Sequence, residues 1–422
     1  MAEQRAHRLR RMTGRDPDEA HRAATPLELL YDLTFVVAFG VAANEFAHLL
    51  AEGHYRGGLL GFAIATFAIC WVWINFSWFA SAYDTDDWVL RLATMTQMVG
   101  VIIVALGLPP LFRSIDEGSL LDNGVPVAGY VVMRVAMVFL WLRAAREDPS
   151  RRRACTTYAV AIAVAQVGWV ALIPARLSVG GFLAVGSVLL LVELAGPIVA
   201  ERGKGGTPWH AGHIAERFGL LTIITLGEVV LGTVASLSAV VEAQGWSRDA
   251  VLVVVAGTGL TFGTWWIYFI IPWADFLRVH RERAPLWGYL HIFVFGAIAA
   301  MGAGLHVAAL YIEHQAHIGA TATVLTVAIP VMVYAFALLA LYTYLVRAGD
   351  PFHIGLFAGM TILVALAVVL AAAGVPVAMC LVVLMFAPVV MIVGYETVGH
   401  RHLLAILGDV RAGEGIAPRA SS

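Results

Sequence analysis

Long apolar runs recur along this whole chain, and they leave little choice of fold other than helices within a membrane. A helix needs about 20 mostly apolar residues to cross the hydrocarbon core. Twelve such windows lie at roughly 27–50, 58–82, 89–112, 124–145, 154–174, 179–200, 214–241, 250–273, 287–312, 318–346, 352–373 and 376–397. The sequence therefore predicts an all-α polytopic membrane protein with about twelve transmembrane helices, surrounded by membrane lipids.

Composition excludes several other classes of protein. The chain is 60% hydrophobic and 13% charged, whereas a soluble domain is about a quarter charged. An ordinary soluble domain, a disordered chain and a nucleic-acid-binding protein are therefore not expected. No P-loop, GxSxG elbow, HExxH or GxGxxG motif is present, which argues against ATP-driven pumping and the common hydrolases.

The basic residues predict an orientation in the membrane. The first 25 residues are polar and basic, with no short apolar run that ends at a cleavage site, so we expect the amino terminus to stay in the cytoplasm. Twenty-two Lys and Arg then fall in cytoplasmic segments, against four in outer loops, which are Arg56, Arg113, Arg176 and Arg248. This positive-inside bias predicts twelve helices with both termini cytoplasmic.

Two stretches of the chain suggest an internal repeat. Glu28 and Glu216 are each followed at +5 and +6 by Leu-Thr, and a tryptophan-rich window follows each stretch. We expect two parallel six-helix repeats, an arrangement in which carriers bind substrates between their halves near the midplane. The expected parts are a basic cytoplasmic segment (1–25), a first six-helix half (26–200), a cytoplasmic connector (201–213), a second half (214–397) and a cytoplasmic tail (398–422).

The same two stretches also carry a family resemblance. Residues 28–39 (ELLYDLTFVVAF) and 213–228 (HIAERFGLLTIITLGE) resemble the two signature segments of the bacterial low temperature requirement protein A (LtrA) family. The resemblance implies an integral protein of the bacterial inner membrane, named for a growth requirement in the cold, and it implies no reaction or substrate. The charged positions of the family's motifs correspond here to Glu28, Asp32, His213, Glu216, Arg217 and Glu228.

Charged residues inside the windows are candidates for function, because an ionised group in a bilayer is costly unless it is paired or faces water. Glu28 and Asp32 are four residues apart and share a helix face. They are either a proton site or a pair at the membrane interface, satisfied by the helix start after Pro26. Arg217 needs a partner, for which we expect Glu28 or Asp32. Glu216 points away from its neighbour Arg217 and needs a partner of its own.

Two further charges lie deep in the predicted spans. Glu228 is about 18 Å along the helix from Glu216 and has no oppositely charged residue nearby in sequence. Arg134 is the only basic residue assigned well inside a span. Pairing Arg134 with Glu228, Glu193 or Asp32 would remove two desolvation costs together.

Histidines and tryptophans complete the candidate residues. His213 and His291 are proton-relay candidates, since neutral imidazole exchanges protons near neutral pH. His210, His213 and Glu216 could instead chelate a metal, although histidines that cap a helix are commoner, and we expect neither a metal nor a cofactor. The tryptophans of the second, third, eighth and ninth windows are expected in an aromatic belt at the membrane interface or, alternatively, around an aromatic substrate. They are Trp71, Trp73, Trp78, Trp88, Trp265, Trp266, Trp273 and Trp287.

Three functions remain open from the sequence. The first is a proton-coupled secondary transporter or permease that moves a small molecule or ion. The second is an intramembrane enzyme that modifies a lipid or isoprenoid, with His213, Glu216, His291 or the acidic turn at 84–87 as acid–base or metal groups. The third is a non-catalytic membrane protein of cold or stress adaptation. The sequence leaves open the substrate, the coupling ion and the oligomeric state.

Overall fold

The structure is a computed structural model that describes residues 9–19, 22–118, 120–202, 206–346, 351–401, 403 and 408. Twelve helical segments of this part are long and apolar enough to cross a membrane, which confirms the predicted number. The helices are α1 (Pro26–Ala51), α2 (Tyr55–Tyr83), α3 (Trp88–Asp116), α4 (Gly124–Glu147), α5 (Arg152–Ala175), α6 (Val179–Glu201), α7 (Ala211–Gln244), α8 (Arg248–Ile270), α9 (Trp273–Val279), α10 (Ala284–Ile312), α11 (Ala320–Val346), α12 (Pro351–Ala372) and α13 (Val377–Gly394).

One predicted span is interrupted. The eighth consists of α8 and the short α9, which are separated at Ile271 and Pro272. Proline has no N–H to donate and cannot continue a helix from the preceding turn.

Two parts of the sequence prediction lie outside the described residues. One is most of the predicted cytoplasmic tail (398–422). The other is a set of basic residues used to predict the orientation: Arg5, Arg8, Lys204, Arg347, Arg411 and Arg419.

The chain divides into two compact units. Unit 1 comprises Met1–Glu45 and Arg56–Arg217, and unit 2 comprises Phe46–Tyr55 and Phe218–Ser422. Within unit 1, α3, α4, α5 and α6 each pack against the next helix in sequence, and within unit 2 the same holds for α10 to α13, with α13 also against α8.

Glycines allow the closest helix contacts in each unit. A Cβ on Gly100 would lie 2.7 Å from the carbonyl oxygen of Gly129, so α3 and α4 touch backbone to backbone. In unit 2, a Cβ on Gly304 of α10 would lie 2.4 Å from the carbonyl oxygen of Thr326 on α11. Small residues at such crossings let helices pack closely where no hydrophobic effect drives them together.

Large apolar side chains cover the outside of the helices. Leu106, Val167, Leu191 and Ile362 are each about two-thirds exposed, on α3, α5, α6 and α12 respectively. In water such a surface would be unfavourable, whereas lipid tails solvate it as well as a protein core does. These faces fit contact with membrane lipids.

The predicted aromatic belt is wrong for most of its members. Trp71, Trp73 and Trp287 are at most 1% exposed, and Trp78 and Trp273 are also buried. Trp71 and Trp73 face inward because their indole N–H groups donate to buried carboxylates, described below. Two others of the set are exposed, namely Trp88 and Trp265.

The amino-terminal segment is docked onto unit 1. Residues 9–19 and 22–25, here called the N-terminal strap, contain no helix and bind through both backbone groups and arginine side chains. The Arg10 N–H donates to Asp87 Oδ2 at 3.2 Å, and Arg143 donates to the Arg10 carbonyl at 2.7 Å. Further along, Gly14 N–H donates to Asp148 Oδ2 at 3.3 Å. The strap is therefore part of the folded protein.

Candidate functional site

The start of α1 fixes the first carboxylate. Glu28 Oε2 accepts the Thr25 N–H at 2.8 Å, and Thr25 Oγ1 accepts the Glu28 N–H at 3.3 Å. This reciprocal pair is a capping box, which satisfies two of the unpaired N–H groups at a helix start. Thr-Pro-Leu-Glu at 25–28 matches the S/T-x-x-E pattern of that motif, so the sequence contained this signal.

Helix α7 brings a histidine and an arginine to α1. His213 and Arg217 are one turn apart and therefore share a face of α7. His213 Nε2 lies 3.1 Å from Glu28 Oε2, and Arg217 Nη2 donates to Asp32 Oδ1 at 2.5 Å. Arg217 Nη1 is also 3.6 Å from Glu28 Oε2. The prediction that Arg217 pairs with the carboxylates of α1 is confirmed.

Helix α2 completes this cluster. Trp73 Nε1 donates to Asp32 Oδ1 at 2.7 Å, and Ser77 Oγ accepts from Arg217 Nη2 at 3.2 Å. The Arg217 guanidinium carbon lies 5.5 Å from the centre of the Trp73 ring, within the range of a cation–π contact. We call the set of Glu28, Asp32, Trp73, Ser77, His213 and Arg217 the Asp32–Arg217 site.

The Asp32–Arg217 site is buried and has unequal charges. Its charged side chains and His213 are at most 2% exposed. Two carboxylates face one guanidinium, so with a neutral histidine the site carries one excess negative charge. Within the described residues, five of its polar atoms lack a hydrogen-bond partner: Glu28 Oε1, Asp32 Oδ2, His213 Nδ1, Arg217 Nε and Arg217 Nη1. Buried polar atoms without partners are costly. A bound proton or small cation would neutralise the excess negative charge of the site.

A second arginine forms a similar but balanced arrangement. Arg134 Nη2 on α4 donates to Glu193 Oε2 on α6 at 2.9 Å, and Trp71 Nε1 donates to the same oxygen at 2.6 Å. The Arg134 guanidinium carbon lies 5.1 Å from the centre of the Tyr130 ring. Of the three partners that the sequence allowed for Arg134, the structure places Glu193 beside it. One cation meets one anion here, so the pair has no excess charge.

Both arginine sites lie within a region that matches a known family. A family model described as bacterial low temperature requirement A protein (LtrA) matches residues 23–388. The chain belongs to the LtrA family. The match includes the two segments that suggested the resemblance, so that prediction is confirmed. An uncharacterized protein of Rhizobium meliloti (strain 1021) is 28% identical over 281 residues, which are 64% of this chain. The chain spans 62% of that relative's length. No solved structure matches the chain.

The remaining candidate residues of this LtrA-family protein have other contacts. Glu216 Oε1 accepts the Ala24 N–H at 3.3 Å and so holds the strap. His291, in unit 2, has Nε2 3.1 Å from the Tyr268 hydroxyl and Nδ1 2.9 Å from the Trp287 carbonyl. Glu228 is buried in unit 2. The structure thus brings together four of the eight candidates: Glu28, Asp32, His213 and Arg217.

The ring of His210, just before α7, binds backbone groups. His210 Nδ1 accepts the His213 N–H at 3.0 Å, and His210 Nε2 lies 3.0 Å from the Glu19 carbonyl. These contacts leave His210 in the role of a cap and not in a shared metal site with His213 and Glu216. Among the residues described, no three or more His, Cys, Asp or Glu side chains are grouped to hold a metal ion.

The strap contributes a further positive charge, that of Arg22, which is held by α2 and is not counted in the Asp32–Arg217 site. Arg22 Nη2 donates to the Ala80 carbonyl at 2.5 Å, and Nη1 donates to the Ser81 carbonyl. Burial, with a smaller contribution from Arg15, lowers the pKa of Arg22 to about 10, while the negative charge of Glu28 opposes the shift. Arg22 therefore stays protonated near neutral pH and stabilises the carbonyl end of α2.

Sequence reasoning missed the donors from α2. Trp73 and Ser77 are one turn apart and share a face of that helix, but the tryptophans were assigned to the membrane interface. The signal that could have found them is the density of tryptophan in the middle of a predicted span. An indole N–H at that depth requires an acceptor, and the acceptors available there are the intramembrane carboxylates.

Proposed function

We propose that this LtrA-family protein is a proton-coupled secondary transporter and that Asp32 is the group that binds and releases the proton. The observation that carries the proposal is the presence of two carboxylates against one guanidinium in a buried site. One excess negative charge in a membrane span is costly, so the site favours either a bound proton or a movement that exposes it to water.

The geometry suggests how proton binding would move the protein. With Asp32 ionised, its Oδ1 accepts from both Arg217 and Trp73. Protonation removes the charge that attracts Arg217, and the guanidinium then gains by moving toward Glu28, whose Oε2 is already 3.6 Å away. Because Arg217 is on α7 and both carboxylates are on α1, the exchange of partners would shift one helix along the other.

The same proposal includes an arrangement in the bacterial inner membrane with both termini in the cytoplasm. The distribution of Lys and Arg supports this orientation. Two parallel six-helix repeats are part of the proposal, supported by the common order of neighbours: α3 to α6 in unit 1 and α10 to α13 in unit 2 pack consecutively. A small molecule or ion is the proposed substrate.

The test is a current measurement on reconstituted protein. We would place purified protein in liposomes on a solid-supported membrane and apply a panel of ions, amino acids, polyamines and drug-like cations at several pH values. We expect a pH-dependent current with the wild type and its loss in Asp32→Asn. Glu242→Gln is the matched control, because it neutralises an exposed carboxylate of α7 and should leave the current unchanged.

Two results would contradict the proposal. One is silence of the folded wild-type protein across the whole panel. The other is a current in Asp32→Asn that keeps the wild-type dependence on pH, since the proton would then bind elsewhere.

A further inference from the structure

Glu228 lies at the centre of the longest helix. It is 17 residues from Ala211 and 16 from Gln244, the two ends of α7, which places it about 25 Å from either end. The residue is only 6% exposed. The Glu228 side chain is therefore buried midway along this helix.

In the part of the chain that the structure describes, no cation pairs with Glu228. Among the described residues, Oε1 has no hydrogen-bond partner and no basic side chain lies within ion-pair distance of the carboxylate. The other deep acidic residues differ in this respect, since Asp32 is 2.5 Å from Arg217 and Glu193 is 2.9 Å from Arg134.

The helices of unit 2 that pack against this part of α7 offer backbone and small side chains. A Cβ on Gly302 of α10 would lie 2.4 Å from the Glu228 carbonyl oxygen, and a Cβ on Gly232 would lie 2.3 Å from the Gly302 carbonyl oxygen. On α8, a Cβ on Gly257 would lie 2.2 Å from Thr233 Oγ1 of α7. These contacts provide no positive charge.

The titratable groups of these elements lie elsewhere. Arg217 on α7 is 11 residues away, about 16 Å along the axis, and is held by Asp32. On α10, both ring nitrogens of His291 have partners, and the His306 ring lies 5.6 Å from that of His48. Further groups on these helices are 8 to 13 residues from the Gly302 and Gly257 contacts: Tyr289 and Tyr311 on α10, and Arg248, Asp249 and Tyr268 on α8.

An ionised carboxylate in this environment would be strongly disfavoured. Burying a charge without a partner costs several kcal/mol, and proteins avoid that cost by neutralising the group. We propose that Glu228 is a second proton-binding site, which holds its proton in the conformation seen here and releases it when the protein moves or the pH rises. The site is in unit 2 and does not depend on the transport role proposed for the Asp32–Arg217 site.

Carbodiimide labelling tests this proposal directly. The O–H of a protonated carboxyl group adds across a C=N bond of N,N′-dicyclohexylcarbodiimide to give an O-acylisourea, which rearranges to a stable N-acylurea; an ionised carboxylate has no proton to supply. We would treat the purified full chain in detergent and locate the adduct by peptide mass spectrometry. Glu193 is an internal control, because it is equally buried but paired with Arg134.

We expect labelling at Glu228 to exceed that at Glu193 about tenfold or more and to fall as the pH is raised from about 6 to about 9. Glu228→Gln should remove the adduct, and Asp32→Asn should leave it unchanged, which separates this site from the transport proposal. Three results would each overturn the proposal. They are the absence of labelling at Glu228 in folded protein, labelling that does not change with pH, and labelling of Glu228 that sodium chloride prevents but choline chloride does not.

Discussion

Two carboxylate-to-amide substitutions should have very different effects on stability, although both remove a charge that faces an arginine. In Asp32→Asn the amide oxygen can still accept from Trp73 and Arg217, and Glu28 still neutralises the arginine from 3.6 Å. The change weakens one charged hydrogen bond to a neutral one, a loss of about 1 to 2 kcal/mol. The site then contains one anion and one cation.

Glu193→Gln removes the one anion that the described residues place beside Arg134. The guanidinium is 2% exposed, and no second acid lies within ion-pair distance of it in the described part of the chain. Removing one partner of a buried pair leaves an uncompensated charge and costs about 3 to 5 kcal/mol. We therefore expect Glu193→Gln to be less stable than Asp32→Asn by about 2 kcal/mol, a factor of about 30 in the folded-to-unfolded ratio.

Unfolding in mixed micelles of SDS and a mild detergent, followed by tryptophan fluorescence, measures this difference. Two double variants serve as controls. Glu28→Gln with Asp32→Asn leaves Arg217 with no anion and should become as unstable as Glu193→Gln. Arg134→Met with Glu193→Leu removes both charges and should recover most of the loss, because apolar replacement of a buried pair is often neutral.

Equal losses in Asp32→Asn and Glu193→Gln would refute the reasoning. Such a result would mean that Glu28 does not neutralise Arg217 once Asp32 is gone. The excess negative charge, on which the proposed proton coupling depends, would then not exist.

Two further predictions concern the rest of the fold. Burial alone would raise the pKa of Asp87, but hydrogen bonds from Arg143 and from backbone amides outweigh this effect and lower the pKa. The stability that the ionised Asp87 contributes is therefore present at neutral pH and is lost as the pH falls below about 4. Asp87→Asn should lower the free energy of unfolding by about 1 to 3 kcal/mol at neutral pH, and the variant should lose less stability than the wild type on acidification. Melting curves of both proteins at neutral pH and below about pH 4 test this; an equal loss of stability on acidification would contradict it. In unit 2, Gly302→Ala places a Cβ 2.4 Å from the Glu228 carbonyl oxygen and should cost about 1 to 3 kcal/mol. Gly355→Ala, at a glycine whose Cβ would meet no atom within 4 Å, should be neutral or slightly stabilising; equal melting points for the two variants would contradict the packing argument.

The helices, and the need of each buried arginine for an acidic partner, could be predicted from the sequence. Both follow from the large free-energy cost of leaving a polar or charged group unpaired in a bilayer. A run of apolar residues long enough to cross a bilayer has few alternatives to a helix, and an arginine inside such a run needs an anion. Arg217 and Arg134 were therefore placed beside acidic residues from their positions alone. The sequence could not choose among three partners for Arg134, because that choice depends on which helices are neighbours.

The features that the sequence did not predict depend on contacts between segments distant in the chain. The N-terminal strap forms no helix and binds through scattered backbone and arginine hydrogen bonds, so its sequence contains no periodic signal. Trp71 and Trp73 were assigned to the membrane surface because tryptophan is common there, and only the approach of α6 and α1 supplies the carboxylates that they contact. Position relative to other helices, and not residue type, decides whether a tryptophan faces lipid or the interior.

Helix α2 donates to both arginine sites through tryptophans only two residues apart. Successive positions at this spacing point to nearly opposite sides of a helix, so Trp71 reaches Glu193 while Trp73 reaches Asp32. Each site has an arginine and a tryptophan donor on a shared carboxylate, and the difference in charge between the sites is the second carboxylate, Glu28. A balanced pair has one stable arrangement, whereas an arginine with two acidic partners has two arrangements whose relative energy depends on a proton. For this reason we assign fixed support to the Arg134–Glu193 pair and movement to the Asp32–Arg217 site.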